Sequence, residues 1–174
     1  DQRMSLNIAA FSTTYDDKQE EVVFPALGGA GTVTIVENVE EAQINGLEVE
    51  MSFIATDGLT FNASFGYLDA SFEDYQIPFL SGSCTVFDPC TQVGVIDKSH
   101  FELRRAPETN FTLGALYEVE MGAGNFFIGK INYRWRDDYH TTTNNAAEGF
   151  VEAFGMLDAS IHFEFGDSWR LSLY

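Results

Sequence analysis

The chain has 174 residues, 45% of them hydrophobic and 14% aromatic, which is enough material for one ordinary domain with a core. A formal net charge of −18 and a pI near 4.2 exclude a basic surface for nucleic acid or anionic head groups. The sequence holds no run of about 18 apolar residues, and its mean hydropathy is −0.09; a helical membrane protein is excluded, whereas a strand-built one, whose alternation dilutes hydropathy, is not.

Met4 to Tyr15 alternates weakly through Leu6, Ile8 and Ala10, which predicts a strand extending toward Phe24. Gly28-Gly-Ala-Gly31 is the predicted loop tip, and Thr32 to Val39 is the far end of a strand that continues through Leu47 to Ala55. From there one pattern recurs in five nine-residue segments: Leu47 to Ala55, Leu59 to Tyr67, Phe111 to Val119, Phe127 to Trp135 and Leu157 to Phe165. Every second position is apolar, aromatic or glycine, and none is charged. The residues between are mostly polar, among them Glu48, Glu50, Thr60, Asn62, Thr112, Glu118, Lys130, Asn132, Arg134, Asp158, Ser160, His162 and Glu164. Period two means strand, with one greasy and one wet face. A tilted strand crosses a bilayer in roughly 9 to 11 residues, the length found here. Trp169, Leu171 and Leu173 begin a further strand.

The links between strands alternate in length. Thr56-Asp57-Gly58, Glu120 to Asn125 and Gly166-Asp167-Ser168 are tight-turn chemistry that pairs neighbours antiparallel. Gln76 to Arg105 and His140 to Ala153 are long, polar and bear glycine or proline. Short turns on one side and long loops on the other is the asymmetry of an outer-membrane barrel. Between Leu59 and Tyr75 the apolar parity exchanges, from Phe65 and Tyr67 to Leu68, Ala70 and Phe72, which predicts a bulge or an exit from lipid near Tyr67 and Leu68. Tyr67, Tyr117, Tyr133, Trp135 and Trp169 fall near strand ends, as an aromatic girdle requires. The sequence opens on Asp1 and stops within a strand, so a longer parent is expected.

Gly46-Leu-Glu-Val-Glu50, the Asp57-Gly58 turn, Phe65-Gly-Tyr-Leu-Asp69, Arg105-Ala-Pro107, Tyr133-Arg-Trp-Arg-Asp-Asp-Tyr139, Leu157-Asp-Ala-Ser-Ile161 and Leu171-Ser-Leu-Tyr174 follow in an order and spacing that resemble the C-terminal barrel of TonB-dependent receptors. The resemblance covers the chain from about Asn7 onward. It implies an all-β, antiparallel up-and-down transmembrane wall, with residues 1–174 supplying about seven strands of a 22-stranded barrel, similar to its fifteenth to twenty-first. The plug domain, TonB box, early strands and closing strand would lie outside this chain. The implied function is uptake of a scarce nutrient of siderophore, vitamin or oligosaccharide class across the Gram-negative outer membrane, energised through TonB. The implied partners are outer-membrane lipid, TonB (through the missing N-terminal region) and the cargo. An outer-membrane porin or barrel enzyme is one alternative, and a soluble extracellular carbohydrate-binding β-sandwich another.

The residues offer little catalytic chemistry. No nucleophile with a base, phosphate-binding glycine loop or metal-ligand spacing is present, so no catalytic, cofactor or metal residue is assigned and the substrate-binding residues are left open. His100, His140 and His162 are scattered, each expected to be a solvated imidazole. Cys84 and Cys90 suit a disulfide closing a small ring in an oxidising compartment; two unpaired thiols are the alternative in a reducing one. On the wet face Glu48, Glu50, Glu118, Asp158 and Glu164 outweigh Lys130 and Arg134, which reads as a hydrated wall or as one that disfavours anionic cargo. Arg134, Arg136, Asp137 and Asp138 sit at the rim, where they pair with neighbours and water or clamp a ligand carboxylate or catechol-iron complex. Asp16, Asp17, Glu20 and Glu21 face Glu37, Glu40 and Glu41 across the first hairpin, as a soluble exposed edge or as oxygen ligands for Ca²⁺.

Overall fold

A computed structural model describes residues 3–25, 31–81, 91–166 and 168–174. Within them lie β1 (Met4–Pro25), β2 (Thr32–Thr56), β3 (Leu59–Asp74), β4 (Gln76–Ser81), β5 (Thr91–Asp97), β6 (Thr109–Gly122), β7 (Asn125–Arg136), β8 (Tyr139–His140), β9 (Phe150–Val151), β10 (Phe154–Phe165) and β11 (Trp169–Leu173). Seven of these form one antiparallel sheet in the order β1-β2-β3-β6-β7-β10-β11. Its outer strands β1 and β11 do not meet, so the sheet is an open wall. The two long links carry small hairpins of their own, β4 with β5 and β8 with β9. The predicted strands and tight turns are where alternation and turn chemistry put them. The β4–β5 hairpin was not predicted, since Gln76-Ile-Pro-Phe-Leu80 is too short and proline-interrupted to show a clear period.

The register makes the two faces literal. Direct cross-strand neighbours share a face, and one row runs Leu6, Met51, Ala63, Leu113, Tyr133, Leu157. Among the described residues no protein layer covers this face: Leu113 is 52% exposed and Leu157 65%. A soluble sandwich would bury it under a second sheet. Aromatic rings bracket it. Phe111 stacks on Trp135 at 5.5 Å near one end, and Phe127 meets Phe163 at 5.2 Å and Tyr117 at 6.2 Å near the other. Phe111 and Val119 on β6 lie about 26 Å apart along the strand at the usual rise per residue, close to the height of an apolar membrane band.

No bulge occurs at Tyr67 and Leu68: the pairing of Leu47 with Tyr67 and Gly46 with Leu68 is unbroken. The strand keeps its pleat and changes its surroundings. Above this level the face that was polar meets protein: Phe72 and Ala70 pack into it, and Leu68 is half-buried beside them. The exchange of faces lies on β1, at Asp17 (φ 53°), which is skipped in the otherwise continuous pairing with β2; farther along the β2–β3 pair the register shifts between Glu41 and Ala42. Beyond it the extensions of β1 and β2, with the link after β5, enclose a small core of Val22, Ala42, Phe72, Tyr75, Ile77 and Leu103.

Candidate functional site on the polar face

The side of the wall opposite the uncovered apolar face is built from alternate residues of the same strands. One row reads Ser5, Ser52, Asn62, Gly114, Asn132, Asp158; the next reads Asn7, Glu50, Ser64, Thr112, Arg134, Met156. Hydroxyls and amides dominate its middle. Two glycines there seat neighbouring amides: a Cβ on Gly114 would lie 2.6 Å from Asn132 Oδ1, and one on Gly66 would lie 2.9 Å from Asn110 Nδ2. The ring of Phe11 lies on Gly46 in the same manner.

The seven charges expected on this face are there, but they are sorted by strand. Glu48 and Glu50 stand on β2, Lys130 and Arg134 on β7, Asp158 and Glu164 on β10 and Glu118 low on β6. Arg134 donates to Asp158 Oδ2 at 2.7 Å, and Arg170 pairs with Glu164 directly across β10 and β11. Glu48 and Glu50 have no ion-pair partner among the described residues.

The rim residues read from sequence as one group divide between two environments. Arg136 belongs to the polar face, its guanidinium sandwiched 4.5 Å from the Tyr139 ring and 4.8 Å from that of Phe154. Asp137 and Asp138 instead line a cavity of about 230 Å³ with Asp69, Glu102 and Glu108. His100, His140 and His162 remain far apart in sequence and in partners: His100 packs on Phe101, His140 on Phe150, and His162 Nδ1 is 2.8 Å from Ser172 Oγ.

The first hairpin does oppose its acids, Asp16 to Glu41 and Glu20 to Glu37. Glu20 is no solvated edge residue, however; it is 1% exposed, paired with Lys18 and with Arg104 Nε at 3.4 Å. Burial holds the Lys18 ammonium below its ordinary value, with Arg104 adding to the effect. Arg104 reaches Glu20 from the link after β5, a partnership with no local sequence signal. Among the described residues no group of three or more His, Cys, Asp or Glu is placed to hold a metal ion. Cys84 and Cys90 lie outside the described residues, as do most of the predicted glycine tip and Asp167.

Asn145 ties the two long links together, donating to Glu102 O at 3.1 Å and accepting from Glu102 N at 2.7 Å. Arg105 N donates to His140 O and Thr143 Oγ1 to Glu21 O. These contacts make one cap over the top of the wall, spanning β1 and both links.

One uncovered apolar face, one hydrated face, tight turns at one end and folded loops at the other define the wall of a membrane β-barrel. The family model described as "TonB dependent receptor-like, beta-barrel" matches residues 1–174, and the chain belongs to that family. Its fold is similar to that of the siderophore receptor PiuA from Acinetobacter baumannii, with a TM-score of 0.66 and 20% identity over 98% of this chain. The chain spans 21% of that receptor's length. No curated protein sequence matches it.

Proposed function

We propose that this chain is part of the barrel wall of an outer-membrane active-transport receptor of a Gram-negative bacterium. The observation that supports the reading most is the uncharged lower face left uncovered across all seven strands, in a chain matched along its length by the receptor barrel family. Lipid is the solvent for that face, because a charge at the midplane of such a face costs roughly 2 to 4 kcal/mol while one on the hydrated side costs little. The hydrated face lines the transport path. The parent takes up a scarce nutrient in a process driven through TonB, and the wall needs no catalytic residue for that role.

The test is uptake by cells carrying the intact parent, with and without TonB. Accumulation of a growth-limiting nutrient that stops when TonB is deleted supports the reading. Uptake that persists without TonB and follows the external concentration identifies a passive pore instead.

A further inference from the structure

Two adjacent rows of the polar face carry the same order of chemistry across four strands. One runs Glu50, Ser64, Thr112, Arg134 and the other Glu48, Gly66, Asn110, Arg136. Each starts with a carboxylate on β2, crosses small neutral side chains on β3 and β6, and ends with a guanidinium on β7. Three strand spacings separate the charged ends, roughly 14 Å of backbone. The carboxylates are exposed and lack ion-pair partners among the described residues. At the far end Arg134 shares its charge with Asp158, and Arg136 Nε has no acceptor among the described residues. Each end also offers aromatic surface: Phe11, 40% exposed, lies on Gly46 one row above Glu48, and Tyr139 and Phe154 flank Arg136.

We propose that this strip binds a zwitterionic, peptide-like cargo, its ammonium at Glu48, Glu50 and Phe11 and its carboxylate at Arg134 and Arg136. A carboxylate with a ring beside it is the chemistry that recognises ammonium. A guanidinium pair is the chemistry that recognises carboxylate. An anion gains at β7 and is repelled at β2, a cation the reverse, so only a molecule bearing both charges about 14 Å apart gains at both ends. The neutral middle of Ser64, Thr112 and Asn110 offers hydrogen bonds to amides. The assignment rests on the polar face lining a transport path.

Tetraglycine, whose extended length is about 14 Å, is the probe, measured by equilibrium dialysis against the intact parent in detergent micelles. Saturable binding is expected, weakened about tenfold or more when the peptide is N-acetylated or C-amidated. Glu50→Gln should weaken tetraglycine and leave the N-acetylated peptide unchanged; Arg136→Gln should weaken tetraglycine and leave the amide unchanged. Arg134→Gln serves the same end if Arg136→Gln fails to fold, as judged by heat-modifiable electrophoretic mobility. Absence of saturable binding, equal binding of all three peptides, or a Glu50→Gln effect that ignores acetylation overturns the proposal. TonB-dependent uptake of the growth-limiting nutrient, measured in the same strains, judges the transport reading separately.

Discussion

The lower and upper parts of the wall use the same strands in opposite ways. In the lower part of β3, Phe61, Ala63 and Phe65 face an uncovered side, while Asn62 and Ser64 face water. In the upper part Asp69, Ser71 and Glu73 take the uncovered side, and Ala70 and Phe72 are packed beneath the cap. The pleat keeps one parity from Phe61 through Phe72, so what differs is the surroundings, which the proposed transport reading makes lipid below and water above on the uncovered side. A residue's burial in this molecule is therefore set by its height on the strand as much as by its parity.

The largest expected effect comes from removing the rest of the barrel. Expressed alone, the chain leaves β1 and β11 as open edges beside an uncovered apolar face, and it should aggregate without detergent. Sedimentation showing a folded soluble monomer would mean that the lower face needs no lipid.

Next come core changes confined to the cap. Phe72→Ala should cost about 3 to 5 kcal/mol locally. Hydrogen exchange in the intact parent should then rise in residues 98–108 and stay unchanged in β6 and β7. Equal loss in both regions would show that cap and wall are a single cooperative unit.

A paired substitution sharpens the lower half. Leu113→Arg on the apolar face should lower the unfolding free energy in lipid vesicles by about 2 to 4 kcal/mol, and Thr112→Arg, its neighbour on the polar face, by under about 1 kcal/mol. Similar costs at both positions would contradict a face-specific solvent.

The cap should also respond to alkali. Burial, then Glu37, holds the Tyr75 phenol above its ordinary value of 10.0, with Arg104 acting against them. The unfolded phenol ionises near pH 10 while the folded one keeps its proton, so its contribution is full below pH 10 and is lost as pH climbs toward the raised value. Lys18 works in the other sense: its depressed value means that stability recovers with rising pH up to 10.5. Tyr75→Phe should abolish the alkaline loss as seen by hydrogen exchange. At neutral pH it should change stability by no more than about 1 kcal/mol, because Tyr75 Oη has no hydrogen-bond partner among the described residues.

The smallest effect is in a turn below the wall. Ala123 sits at φ 56° between Gly122 and Gly124, a conformation that penalises a Cβ. Ala123→Gly should raise stability in vesicles by up to about 1 kcal/mol, with no change in the cap.

Alternation in the five nine-residue segments was enough to read the strands, their faces and the antiparallel order, because the pleat and the tight turns are local properties of the chain. The parity change after Tyr67 was legible as well, though as a choice between a bulge and a change of solvent. Only the register ruled out the bulge, and the backbone placed the exchange of faces at Asp17 on β1. Glu20 looked like one more surface acid, since Arg104, which reaches it from a distant link, leaves no mark in the nearby sequence. Composition likewise summed the polar face to a mild negative charge. Strand pairing, a long-range property, sorted that charge into carboxylates on β2 and guanidiniums on β7. Side-chain period alone tells which side of each strand can tolerate water. Which residues stand beside one another across the wall, and what covers them above it, follows from pairing and loop docking, which bring together segments far apart in the chain.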